Sequence, residues 1–343
     1  MKKGFVVLVL ALFSYASELK LSANITALKH SANALYIGTD AGEILKYDLN
    51  LKKLFNNFSI KLPAVQNYYE SNVAARIHSF DVFEDSFLLL SEGDFGTQNL
   101  SLCTNLKLKK GKCLTIKSPF SNVKKVFYLD KNTALLVLLS SDIKLVNLNI
   151  QNANLNAQNA NLSISTIKEF KFSHTSLNDA TLEKPNLLIA RTEPLVNKAS
   201  AKGQNLLVAS ESGQLQVFDL KAWKLLANYD KIHKDTLEQV DFTNGVIISC
   251  GKEKKLGLVK ENEQKFLQKT SLVYSCALSP SGKIAAFSSN VLGKESTEIV
   301  STADFKQIAL FDEGDFFAKF IIFLNEKDFL MANNNTILFR SIK

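Results

Sequence analysis

Four cysteines, four histidines and two acidic loops are the groups whose chemistry the sequence puts in question. Cys103 and Cys113 lie ten residues apart in LCTNLKLKKGKCL, a basic turn that would set two consecutive strands side by side. A disulfide between them is expected, and a loop of that size stabilises by roughly 2–3 kcal/mol on chain-entropy grounds. Cys250 and Cys276 are expected as buried free thiols, with a bond between them as the alternative. No CxxC occurs, so neither thioredoxin-like exchange nor c-type haem attachment is indicated, and no zinc spacing is present.

His30, His78, His174 and His233 are nowhere closer than 48 residues. They are read as polar or hydrogen-bonded residues in preference to metal ligands. Acidic groups gather at Ser91-Glu92-Gly93-Asp94 and Phe311-Asp312-Glu313-Gly314-Asp315. Calcium favours oxygen-rich loops, but these follow no regular ligand spacing, and turn chemistry alone favours Asp and Gly there, so solvated turns are expected. Phe316, Phe317, Phe320 and Phe323 alternate in part and read as core. With no GxSxG, HExxH or P-loop, the expected inventory is no catalytic residue, no metal and no cofactor.

The positioning framework starts after a leader. Lys2 and Lys3, nine apolar residues from Phe5 to Phe13, and Ser14-Tyr15-Ala16 form a signal-peptide pattern cleaved after Ala16. The alternative, an uncleaved membrane anchor, would reach only about 13 Å as a helix, against a hydrocarbon core of roughly 30 Å. No cysteine stands at the cleavage point, so no lipid anchor is expected, and a bacterial periplasm is the expected destination. The formal charge of +8 falls to +6 in the mature form. Three dispersed arginines (Arg76, Arg191, Arg340) and scattered lysines such as Lys107, Lys109, Lys110, Lys112, Lys252, Lys254 and Lys255 suit a solvated β-surface better than nucleic acid.

The remaining 17–343 region reads as one all-β domain built from a repeated hairpin. Seven copies, at 35–49, 87–103, 135–149, 206–220, 246–260, 284–302 and 329–343, each place an apolar strand, a polar break and an alternating strand in order. The 284–302 copy carries a longer loop. Most copies follow a further strand, as Ile77–Phe83 and Val273–Leu278 do, and Ser279-Pro280-Ser281-Gly282 supplies a type I turn. The spacing suits four-stranded propeller blades, except across an irregular insertion around 151–195 that contains QNANL twice. Residues 151–163 are expected as a polar surface loop, and a strand signal at Leu187–Arg191 leaves an eighth blade open. Seven blades are preferred. The last copy lacks a fourth strand, and Glu18–Ser22 is a spare one, so the N-terminal strand is expected to close the ring. His30 and His78 then fall in the first strands of adjacent blades, facing the channel.

VYSCALSPSGKIAAFSS and LLVASESGQLQVFDLKAWKLL resemble the WD40-type propeller, with Phe218-Asp219 and Tyr47-Asp48 where that family carries Trp-Asp. The Gly-His pair is missing, with Asp230-Lys231-Ile232-His233 and Phe172-Ser173-His174 in comparable places, so a WD40-like propeller without the usual His–Asp relay is implied. In size, leader and lysine-rich composition the chain also resembles the L-type accessory proteins (NapL) of periplasmic nitrate reductase in ε-proteobacteria. That resemblance implies a non-catalytic protein that binds a protein partner, such as reductase components, and carries over no site residues. Two other readings are a propeller enzyme, either a metal-dependent hydrolase or a quinone dehydrogenase, and an outer-membrane assembly scaffold. The dehydrogenase would want tryptophans, and only Trp223 is present. The scaffold would want a lipid anchor.

Overall fold

In the computed structural model, residues 17–104, 112–151, 161–172, 176–183, 205–291 and 293–343 are described. They form seven four-stranded antiparallel sheets, each in simple up-and-down order except the last. Each of the seven hairpin copies supplies the second and third strands of one sheet, for example Ala34–Thr39 with Glu43–Asp48, or Val246–Gly251 with Lys255–Lys260. The first strands are innermost: Ile25–Ser31, Ile77–Phe83, Val123–Tyr128, Leu177–Leu182, Leu237–Thr243, Val273–Leu278 and Phe320–Phe323, in blades 1 to 7. Apolar residues alternate on both faces of each blade, because each face is covered by a neighbour. The buried side chains accordingly sort into seven clusters, one at each seam between adjacent blades.

The ring closes as the strand count requires. Glu18–Lys20 forms the outermost strand of blade 7, with Glu18 opposite Leu338 and Lys20 opposite Thr336. The next residues continue the seam: Leu21 N–H donates to Asn335 O at 2.8 Å, Ile25 N–H to Asn334 O at 2.6 Å, and Asn335 Nδ2 to Leu21 O at 2.9 Å. Leu21 is buried with Ile337 and Leu330, so the closure has an apolar component as well.

Four expectations change. The two ends of the 151–163 segment are strand: blade 3 has long outer strands, Asp142–Gln151 and Asn161–Lys171, paired from Asp142↔Lys171 to Gln151↔Asn161, while 152–160 lie outside the described residues. Leu162, Ile164 and Ile150 pack on the seam with blade 2, and that burial holds the strand ends on either side in the sheet. The 151–195 insertion also contains the innermost strand of blade 4, Leu177–Leu182, which completes a seven-blade count without an eighth; the signal at Leu187–Arg191 lies outside the described residues. The longer loop of the 284–302 copy is a tight hairpin, with Ile284–Val291 and Lys294–Ser301 paired up to Val291↔Lys294. The fourth concerns the cysteines. Cys103 and Cys113 are opposed on the third and fourth strands of blade 2 and bonded, while Cys250 and Cys276, expected as free thiols, are joined across the seam of blades 5 and 6 with their Cα atoms 6.2 Å apart. They meet because the second strand of one blade lies against the first strand of the next, a neighbour relation that spacing along the chain does not display.

Candidate functional site

The innermost strands surround a channel of about 1480 Å³ whose lining comes from all seven blades. Six of these strands carry a β-bulge at the same place, between Ile25 and Ala27, Ile77 and Ser79, Val123 and Lys125, Leu177 and Asp179, Leu237 and Gln239, and Val273 and Ser275. A bulge leaves one residue unpaired and re-aims its side chain. The extra residues are Thr26, His78, Lys124, Asn178, Glu238 and Tyr274, and all of them line the channel. Lys319 completes the ring in blade 7, just ahead of Phe320–Phe323, its N–H donating to Ala332 O at 3.0 Å.

Deeper in the channel, carboxylates join blades in threes. Asp81 of blade 2 is fully buried. Its Oδ1 lies 2.9 Å from Lys29 Nζ of blade 1, and its Oδ2 accepts the Tyr128 N–H of blade 3 at 2.8 Å. Asp179 of blade 4 repeats the arrangement, with Lys125 Nζ of blade 3 at 3.0 Å and the Val240 N–H of blade 5 at 3.1 Å. Asp241 accepts the Leu278 N–H of blade 6 at 2.9 Å. The inner edge of each first strand has backbone amides with no strand to pair with, so these side chains satisfy them. Their surroundings give them a joining role: each oxygen faces a cation or an amide, and none is poised as a free base. Tyr128, buried beside Asp81, has its hydroxyl pKa driven above the usual tyrosine range, first by burial and then by that carboxylate.

At the mouth formed by the loops leading into the first strands, cations gather without such partners. Among the described residues, the Arg76 and Lys124 side chains have no hydrogen bond or ion pair, although the Arg76 carbonyl accepts the Glu92 N–H at 2.9 Å, and the Lys319 ammonium rests only over the Phe320 ring, 5.4 Å from its centroid. Burial lowers the His78 pKa, Glu92 opposes that, and Arg76 and Lys124 push it down again. Lys319 is lowered by burial and then by Arg76. The opposite side of the mouth is neutral to acidic, with Asn178, Tyr274 packed edge-on against Phe317 at 4.4 Å, and Glu238 3.9 Å from Lys252.

The segment entering blade 2 also presents aromatics. Val65 and Val73 form a bridge, Asn67 Oδ1 accepts the Tyr69 and Glu70 N–H groups at 2.7 and 2.6 Å, and Asp94 Oδ1 accepts the Gln66 N–H at 2.8 Å. Phe95 returns a bond from its N–H to Gln66 O at 2.8 Å while holding φ at 54°, a conformation rare for a bulky side chain. The result is a fixed cluster in which Tyr69 is 95% exposed, Tyr68 79% and Phe95 48%, with the Tyr68 and Phe95 rings 5.5 Å apart.

The sequence-derived candidates fall as follows. His30 and His78 both line the channel, but four positions apart along equivalent strands, and His30 Nε2 is 2.9 Å from Ala32 O. His174 lies outside the described residues. His233 is buried near blade 5, its Nε2 2.9 Å from Ser249 Oγ and its Nδ1 3.6 Å from Glu253. Burial, reinforced by Lys255 and opposed by Glu253, takes its pKa down to about 4. A Cβ on Gly257 would stand 2.7 Å from His233 Nε2, so glycine makes room for that pair. Asp48 and Asp219, at the Trp-Asp position, each accept two turn N–H groups at 2.8 and 2.9 Å. Asp94 fits the turn reading of its loop, but Glu313 departs from it: it is largely buried and holds Arg340 through Nε and Nη2 at 2.8 and 2.5 Å. Phe323 is core and Phe316 packs against it, while Phe317 forms channel wall. Among the described residues, no three His, Cys, Asp or Glu side chains converge as a metal site would require, and no helix is long and apolar enough to cross a membrane. Lys107, Lys109 and Lys110 lie outside the described residues.

No protein-family model matches the chain, and no curated protein sequence matches it. Among solved structures, it is similar to the β-propeller domain of Cps50 (Swd1) from Myceliophteria thermophila, with a TM-score of 0.64 and 11% sequence identity over 95% of this chain and 99% of that one. At that identity the likeness carries the fold alone. The class so defined is a WD40-like seven-bladed β-propeller fold.

Proposed function

We propose that this chain is an exported, non-catalytic docking protein of the bacterial periplasm that supports the maturation or activity of periplasmic nitrate reductase. The observation that carries the docking role is the Tyr68–Tyr69–Phe95 cluster, held rigid by its own hydrogen bonds and exposed to solvent. Rigid exposed aromatics are what central interface anchors require. Export is supported by the leader pattern, together with the pairing of all four cysteines, since disulfides persist in oxidising compartments. The reductase assignment rests on the sequence resemblance. In a strain lacking the gene, nitrate reduction or reductase maturation should fall, and the wild-type gene should restore it while Tyr68→Ser/Tyr69→Ser should not. Unchanged reductase maturation and activity in the deletion strain would remove that role.

A further inference from the structure

We infer that the basic half of the channel mouth, formed by Arg76, Lys124 and Lys319, receives an acidic peptide segment of the protein partner, with an adjoining apolar residue of that segment on the Tyr68–Tyr69–Phe95 cluster. The inference rests on the docking reading and names the chemistry of what is docked. Two features of the molecule select it. The first is the contrast along the channel: Lys29 and Lys125 are neutralised by Asp81 and Asp179, whereas the side chains of Arg76 and Lys124, one position either side of a first-strand start, have no hydrogen bond or ion pair among the described residues, and the Lys319 ammonium has only the Phe320 ring. The bulges aim Lys124 and His78 at the channel, and like charges brought together there raise the local potential for an anion. The second is continuity. Arg76 follows the same loop that carries Tyr68 and Tyr69, and its carbonyl accepts the N–H of Glu92 at 2.9 Å, three residues before Phe95, so the backbone joins the basic mouth to the aromatic cluster.

The charges facing this mouth are not all positive. Glu92 lies beside His78, and Glu238 lies across the channel beside Lys252. Glu238 orients the segment, because it repels its acidic part toward blades 7, 2 and 3, while Glu92, itself on blade 2, is offset there by Arg76 and Lys124. A channel of about 1480 Å³ spanning seven strands is large for a small metabolite, since ligand pockets run to roughly 300–1,000 Å³, and suits a peptide.

Fluorescence anisotropy with the intact mature protein tests this. The probe is a labelled peptide of two apolar residues followed by alternating glutamate and serine, compared with the same peptide carrying glutamine for glutamate. The acidic peptide should bind about tenfold more tightly or better, with affinity falling as salt is raised. Lys124→Gln/Lys319→Gln should lose about tenfold, Tyr69→Ser should weaken both peptides, and Lys131→Gln/Lys171→Gln should leave binding unchanged. Equal binding of the two peptides, or undiminished binding by the folded Lys124→Gln/Lys319→Gln protein, overturns the inference. An oligonucleotide that displaces the acidic peptide at lower concentration overturns the assignment to a protein segment. Failure of the docking reading gives a different pattern: Tyr68→Ser/Tyr69→Ser would then complement the deletion strain fully while peptide binding at the mouth persisted.

Discussion

Asp81 and Lys124 stand on neighbouring blades of one channel, yet their situations are opposite. Asp81 is sealed from solvent and spends both oxygens on adjacent blades, one on Lys29 and one on the Tyr128 amide. Lys124 sits on a bulge and faces the open mouth. The same inner strands therefore carry two kinds of charge: one that fastens blade to blade and one left over for something outside the molecule. Burial separates them, because a sealed charge must be matched within the fold while a solvated one need not be.

That division can be broken at the joints first. Asp81→Ala leaves a partly buried ammonium and an unpaired amide, and should lower unfolding free energy by about 4 kcal/mol, read from urea transitions; Asp81→Asn, which keeps an acceptor for Tyr128, should lose less. A loss under about 1 kcal/mol for the alanine variant would mean that the joint is ornamental. The covalent joint between blades 5 and 6 comes next: Cys250→Ser/Cys276→Ser opens a loop of 26 residues and should destabilise by about 3.5 kcal/mol on chain-entropy grounds.

His233 sharpens the comparison by pH. Its folded pKa of about 4 lies below the unfolded value of 6.5, so the unfolded chain takes up the proton first. The stability this residue confers is complete above pH 6.5 and is lost as pH falls toward 4, a loss of about 3 kcal/mol at full extent. The fall in stability between neutral pH and pH 4 should therefore be smaller in His233→Asn than in wild type, and parallel curves would refute the assignment. The smallest effect belongs to the mouth: Lys124→Gln and Lys319→Gln should each change stability by less than about 0.5 kcal/mol. A larger loss in thermal melts would show that these lysines are structural after all.

The hairpins were legible because an alternating pattern and a turn lie within a few residues of each other, and the closing strand was legible because one sheet was a strand short. Leu177–Leu182 escaped because its polar Asn178, Asp179 and Thr181 interrupt any apolar run; they are there to line the channel and catch Lys125 and Val240. The mouth escaped for a related reason. A bulge shifts the two-residue period by one, so Lys124 reaches the channel from a position where simple alternation aims it elsewhere, and His78 alone of the mouth residues was expected there. The Cys250–Cys276 bond and the aspartate joints depend on which blade lies beside which, and that information exists only once the sheets are stacked. The Asn67 turn at Tyr69 is local, but the bonds that set Phe95 beside Tyr68 join Gln66 to Asp94 and Phe95 across 28 residues or more, and no local pattern announces them.

The pairing of Glu18 with Leu338 also dictates an order of assembly. Closing a flexible loop of that span carries an entropic cost of about 5 kcal/mol, more than three residue pairs could recover unaided. Blades 1 to 6 must first condense and carry the two chain ends toward each other, so the last sheet is completed late, after local hairpins have formed. A polypeptide emerging from its leading end would thus hold its first strand idle until the trailing end arrives.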